Sequence, residues 1–93
     1  FYSELDNFIN KYRDSIVDTI NLGETKTYTL NGVDYETLLL YIGSQGVRIM
    51  INDWLSDYLK SGETQKLPKG EVLMVNNLIK TESGDSVEFV LGR

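Results

Sequence analysis

Residues 47–59, VRIMINDWLSDYL, decide the fold that the sequence predicts. Their apolar side chains recur at the i, i+3, i+4, i+7 spacing of an amphipathic helix. The residues of this stripe are Val47, Met50, Ile51, Trp54, Leu55, Tyr58 and Leu59. The polar side chains fall on the opposite face, and the only tryptophan lies in the middle of the stripe. The spacing therefore predicts a helix over residues 47–60, against which the other elements pack.

The N-terminal region has the same helical spacing. Its apolar positions are Phe1, Leu5, Phe8, Ile9, Tyr12, Ile16, Val17 and Ile20. Ser3 is suited to the N-cap position, and Gly23 follows the last periodic residue as a C′ glycine does. These signals predict a helix over residues 3–21.

Residues 25–30 predict a short strand. Tyr28 and Leu30 would point to one side of it, and Thr27 and Thr29 to the other. Two interpretations are open for the residues that follow. Asn31-Gly32 is the strongest two-residue hairpin signal and predicts a returning strand. Asp34 can instead cap a helix over residues 34–42. We favour the helix.

Residues 71–91 predict a β-hairpin. Residues 71–80 form its first strand, with a bulge or bend at Asn76-Asn77, and a turn follows at residues 82–85. The second strand alternates, which places three apolar side chains inward: Val87, Phe89 and Leu91. The preceding Leu67-Pro68 pair is expected to fold back on the core.

The order of elements predicts a single α+β domain over residues 1–93, with three helices, a short strand and a C-terminal β-hairpin. This order resembles the winged-helix architecture, in which the short strand joins the terminal hairpin in a small sheet. A cystatin- or NTF2-like fold, with a long N-terminal helix on a small antiparallel sheet, is the alternative. It gains support if residues 33–42 form a strand.

Composition excludes several chemistries. The net charge is −5 and the sequence pI is about 4.5, so electrostatics oppose direct binding to a nucleic-acid backbone. Because the chain has no cysteine and no histidine, it lacks disulfides, zinc fingers and Ser-His-Asp or Cys-His catalytic groups. No phosphate-binding or EF-hand motif occurs. We therefore expect no enzyme activity, no cofactor and no metal site.

The polar face of the predicted helix over 47–60 supplies the candidate partner-binding residues, which are Arg48, Asn52, Asp53, Ser56 and Asp57. Asp53 and Asp57 are four residues apart and share that face, so they could meet a basic partner. A solvated polar face explains the same pair without any partner. Trp54 could anchor an interface, but its place in the apolar stripe favours core packing.

These observations favour a non-catalytic, acidic protein-binding module. By analogy with short acidic proteins of phages and mobile elements, one version is an inhibitor that engages a basic nucleic-acid-binding partner; the other is an interaction domain of a larger protein. A winged-helix DNA-binding regulator and an NTF2-like small-ligand or extracytoplasmic domain are the alternatives. No apolar run is long enough to span a membrane. The expected location is cytoplasmic, although the chain begins at Phe1 rather than Met, which leaves room for an upstream segment.

Overall fold

The protein folds as two antiparallel β-sheets, and the computed structural model describes residues 15–93. The strands in chain order are β1 (Ser15–Asn21), β2 (Thr25–Leu30), β3 (Val33–Gly43), β4 (Gly46–Ile51), β5 (Trp54–Leu55), β6 (Thr64–Lys66), β7 (Val72–Thr81) and β8 (Gly84–Gly92). One four-stranded sheet, here the terminal sheet, has the order β1-β8-β7-β6. The other, the central sheet, has the order β2-β3-β4-β5.

The predicted α+β fold is wrong. Residues 15–93 contain only strands, turns and loops, and they include no helix that could span a membrane. Of the predicted helix over 3–21, residues 15–21 form β1, and residues 3–14 lie outside the described part of the chain. The predicted helices over 34–42 and 47–60, and the end of the one over 3–21, are strands and turns instead, so neither the winged-helix order nor the cystatin- or NTF2-like alternative fits residues 15–93.

The stretch that predicted the central helix forms β4, a turn and β5 instead. Val47, Ile49 and Ile51 are fully buried, while Arg48 and Met50 between them are partly exposed. This is the two-residue period of a strand with one buried face. The helical interpretation placed Ile49 on the polar face, and burial of that side chain in the core favours the strand.

A tight turn at Asn31 and Gly32 connects β2 to β3. Both residues have positive φ, 53° and 75°, which is the geometry of a type I′ hairpin. Leu30 and Val33 close the hairpin as its last pair. The favoured helix over residues 34–42 is therefore wrong, and the hairpin interpretation is correct.

The C-terminal hairpin has the predicted form. Strands β7 and β8 pair antiparallel, and their register shifts between Val75 and Asn77, so Asn76 forms the expected bulge. Val87, Phe89 and Leu91 are completely buried, as their alternation predicted. The local pattern was sufficient here because hairpin pairing is determined by neighbouring residues and the turn between them.

The core lies between the two sheets. Its buried apolar side chains include Ile20, Leu73, Val75, Val87, Phe89 and Leu91 from the terminal sheet, and Leu30, Tyr35, Leu39, Val47, Ile49 and Ile51 from the central sheet. Leu67 belongs to the same cluster, so this part of the loop before β7 does fold back on the core as predicted. Tyr28 meets Phe89 edge to face, with 5.7 Å between ring centroids.

Polar contacts join the two sheets where β1 lies beside β2. The Tyr28 hydroxyl donates to Asp18 Oδ2 at 2.6 Å, and Lys26 Nζ lies 3.5 Å from the same oxygen. The hydrogen bond from Tyr28, together with the charge of Lys26, holds the pKa of Asp18 below its usual value. Ionisation of Asp18 therefore stabilises the folded state.

Gly46→Ala is expected to lower the free energy of unfolding by at least about 2 kcal/mol. Gly46 has φ 126°, and a Cβ there would lie 2.8 Å from the backbone oxygen of Leu59. Gly32→Ala is the matched control, since φ is also positive but the space around it is open. Urea denaturation should show that the control lowers the free energy of unfolding by only about 1 kcal/mol. An equal decrease in the two variants would contradict the close approach of Gly46 to Leu59.

Asp18→Asn is expected to reduce the acid sensitivity of the fold. A carboxyl whose pKa is lowered from 3.8 contributes stability above that pH, and the contribution disappears as the pH falls through the folded-state pKa. The urea midpoint of the wild type should therefore fall more steeply below about pH 4 than that of the variant. Asp53→Asn, which removes an exposed carboxylate outside this contact, is the matched control. A wild-type slope in Asp18→Asn would contradict the role of this contact.

Candidate ligand-binding groove

A groove of about 460 Å³ opens at one end of the central sheet. Its apolar walls are Val33, Ile51, Trp54, Leu67 and Pro68, and its polar lining residues are Tyr35, Asn52, Asp53, Lys69 and Glu71. Apolar walls around a few polar groups are typical of ligand sites, where the polar groups fix the orientation of the ligand. The volume lies within the range of small-molecule and side-chain pockets.

Three separate segments build the groove. The start of β3 supplies one wall, and the turn between β4 and β5 supplies the second. The loop over residues 67–71 supplies the third, and it is closed by two backbone hydrogen bonds, from Leu67 N to Glu71 O at 2.7 Å and from Gly70 N to Leu67 O at 3.0 Å. These bonds hold the two ends of the loop together, and a hydrogen bond from Tyr35 of β3 to the Glu71 side chain connects the loop to β3.

Glu71 is the unusual member of the groove. It is only 3% exposed, and its Oε2 accepts a hydrogen bond from the Tyr35 hydroxyl at 2.7 Å. Its other oxygen, Oε1, is buried and has no hydrogen-bond partner among the described residues. Within residues 15–93 no lysine or arginine nitrogen lies within 4.0 Å of this carboxylate. A buried carboxylate oxygen without a partner is costly, so the site is incomplete without a donor.

Tyr35 connects Glu71 to the end of the chain. Its hydroxyl accepts a hydrogen bond from Arg93 Nη1 at 3.4 Å while it donates to Glu71. Burial raises the pKa of Tyr35, and the hydrogen bond to Glu71 raises it further. Tyr35 therefore remains a proton donor to Oε2, and the carboxylate oxygen without a partner among residues 15–93 is the buried Oε1.

The five residues that the sequence singled out do not share a face, because the helix that would have joined them is absent. Asn52 and Asp53 line the groove. Ser56 is fully buried, and its hydroxyl accepts from Ile49 N at 2.9 Å, so its role is structural. Asp57 and Arg48 lie elsewhere: the backbone N of Asp57 donates to Gln65, and Arg48 Nε donates to the backbone oxygen of Ser56 at 2.9 Å.

A second exposed surface is an aromatic cluster on the outer face of the central sheet. Tyr41 and Tyr58 meet edge to face at 5.4 Å, and the guanidinium of Arg48 lies 4.8 Å from the Tyr58 ring centre. Tyr58 is 42% exposed, although its place in the apolar stripe had predicted packing in the core. These side chains contact one another, whereas Glu71 Oε1 has no hydrogen-bond partner among residues 15–93, so the groove is the stronger candidate.

Sequence reasoning missed Tyr35 and Glu71 and favoured core packing for Trp54. Trp54 does pack against the core cluster, but it is only partly buried and its remaining surface lines the groove. The one local signal for Glu71 was a single acidic residue directly before an apolar strand. Its burial depends on Tyr35, which is 36 residues away in sequence, so no local pattern could reveal it.

Within the described range of 15–93, no three carboxylates lie close enough together to hold a metal ion. Comparison of the chain with protein-family models, with curated proteins and with solved structures finds no match. The geometry of the groove is therefore the basis for proposing a function.

Tyr35→Phe is expected to lower the free energy of unfolding by about 1–3 kcal/mol, because it leaves both oxygens of a buried carboxylate without a partner. Tyr58→Phe is the control, since its ring is largely exposed at 42%. Urea denaturation of both variants measures the difference. Equal stability of the two variants would show that the hydrogen bond to Glu71 does not contribute to folding.

Proposed function

We propose that this domain is a non-catalytic binding module that holds part of a protein partner in the groove between β3, the β4–β5 turn and the loop over residues 67–71. The single observation that carries the proposal is that Glu71, which lines the groove, has a buried Oε1 with no hydrogen-bond partner among the described residues. A ligand that supplies a donor there completes the hydrogen bonding of the site.

The walls of the groove support a binding role. Trp54 is partly buried, so its position is fixed by the core while part of its surface stays available. Tryptophan held in this way is typical of the residues that contribute most to binding energy. Val33 is 38% exposed at the rim and widens the apolar surface that a partner can cover. A rigid aromatic wall beside one polar anchor gives both affinity and orientation.

Charge favours a basic partner. The chain carries a net charge of −5, and two of the three charged side chains that line the groove, Glu71 and Asp53, are acidic. Long-range attraction of this kind accelerates encounter with a positively charged protein. The sequence also lacks histidine and cysteine, the side chains that most often act as general base or nucleophile. An acidic inhibitor of a basic nucleic-acid-binding protein and an interaction domain of a larger protein are two forms of this proposal.

The first experiment is a fragment screen of the 15N-labelled protein by NMR, with Val33→Trp as the blocking variant. In the wild type we expect shift changes at amides that line the groove, around residues 33, 54 and 69. A tryptophan at position 33 should fill the rim and remove these changes.

Val17→Trp is the matched control, since Val17 is a similarly exposed valine, at 44%, on β1 and outside the groove. It should keep the fragment response of the wild type. Fragments that respond equally to both variants, or that map only to the Tyr41–Tyr58 cluster, would argue against the groove as the binding site.

A further inference from the structure

We infer that the groove accepts the ammonium group of a lysine side chain from a protein partner, with Glu71 Oε1 as the acceptor. The inference rests on the proposed function and names the chemical group that the groove selects. It follows from the buried Oε1, from the absence of an ion pair to Glu71 among residues 15–93, and from the residues and charge of the walls.

The missing ion pair favours a charged donor over a neutral one. Glu71 is only 3% exposed, and no lysine or arginine nitrogen among residues 15–93 lies within 4.0 Å of its carboxylate. Buried carboxylates are normally paired, and a hydrogen bond from a charged donor is about twice as strong as one between neutral groups. Lys69 lines the same groove, but its ammonium remains beyond that distance.

The geometry of the carboxylate favours ammonium over guanidinium. Arginine binds carboxylates best through two parallel hydrogen bonds, one to each oxygen. Here Tyr35 already donates to Oε2 at 2.7 Å, and Arg93 donates to the Tyr35 hydroxyl and not to the carboxylate. Only Oε1 is left, and the compact ammonium of lysine is suited to a single acceptor.

The walls are suited to the stem of a lysine. Trp54, Val33 and Pro68 present apolar surface along the groove, and the methylene groups of a lysine pack on such surface while its charged end reaches a polar group. Asp53 is exposed at the rim, where its carboxylate attracts the incoming cation. The partner's main chain would then remain outside the groove, in solvent.

The test compares two capped pentapeptides, Ala-Ala-Lys-Ala-Ala and the same peptide with norleucine at the centre. Norleucine keeps the unbranched apolar stem and lacks the ammonium. We titrate each peptide into the 15N-labelled protein and follow the indole N–H of Trp54. The lysine peptide is expected to bind more tightly than the norleucine peptide by about tenfold, as one charge-assisted hydrogen bond predicts.

Glu71→Gln is the decisive variant, because it replaces the free acceptor and removes the charge with almost no change of shape. It should abolish the preference for lysine over norleucine. Glu82→Gln removes the same charge from an exposed position in the β7–β8 turn and should keep the preference. Asp53→Asn, which does not alter the buried site, should weaken binding of the lysine peptide by about twofold, and this keeps the test decisive even if Glu71→Gln perturbs folding.

The outcomes separate this inference from the proposed function. Equal binding of both peptides in the groove would overturn the ammonium assignment and leave a binding module intact. Binding of free butylammonium without binding of the lysine peptide would overturn the protein source. If neither peptide nor any fragment perturbs the groove, the proposed function itself falls.

Discussion

Burial of the two sheet faces that meet each other is the constraint on which the whole structure depends. Side chains alternate along a strand, so a shift of one residue would exchange the buried and exposed sets. In β4 the buried set is Val47, Ile49 and Ile51, and in β8 it includes Phe89, whose ring meets Tyr28 of the opposite sheet. A chain of this length buries only a modest core, and both sheets contribute to the larger of its two buried clusters.

The same constraint explains where sequence reasoning succeeded and where it failed. The β7–β8 hairpin and its bulge at Asn76 were predicted because turn chemistry and alternation lie within a short stretch. Residues 47–59 were assigned to a helix because seven apolar side chains fit its spacing, although Ile49 lies outside that stripe. Spacing alone does not choose between the two periods when apolar residues are this dense. Burial in the shared core decides for the strand, and burial is a tertiary property.

The groove was hidden from sequence for a related reason. Its walls come from the start of β3, the β4–β5 turn and the loop over residues 67–71, which are distant in sequence. Asn52 and Asp53 were among the predicted partner-binding residues and do line it, although the helical face that selected them does not exist. The importance of Glu71 depends on its burial and on its contact with Tyr35. A buried polar atom without a partner lowers the stability of the fold, and departures of this kind are expected at functional sites.

The terminal sheet pairs the first described strand with the last, since Ser15 lies opposite Gly92. Closing so long a loop costs chain entropy before any contact compensates for it, and pairings of this range fold slowly. Strands β2 to β5 are connected by short turns and join only neighbours, so they can form early. During synthesis, β1 can pair only after β8 has left the ribosome. Its unpaired edge is a hazard for aggregation through that interval.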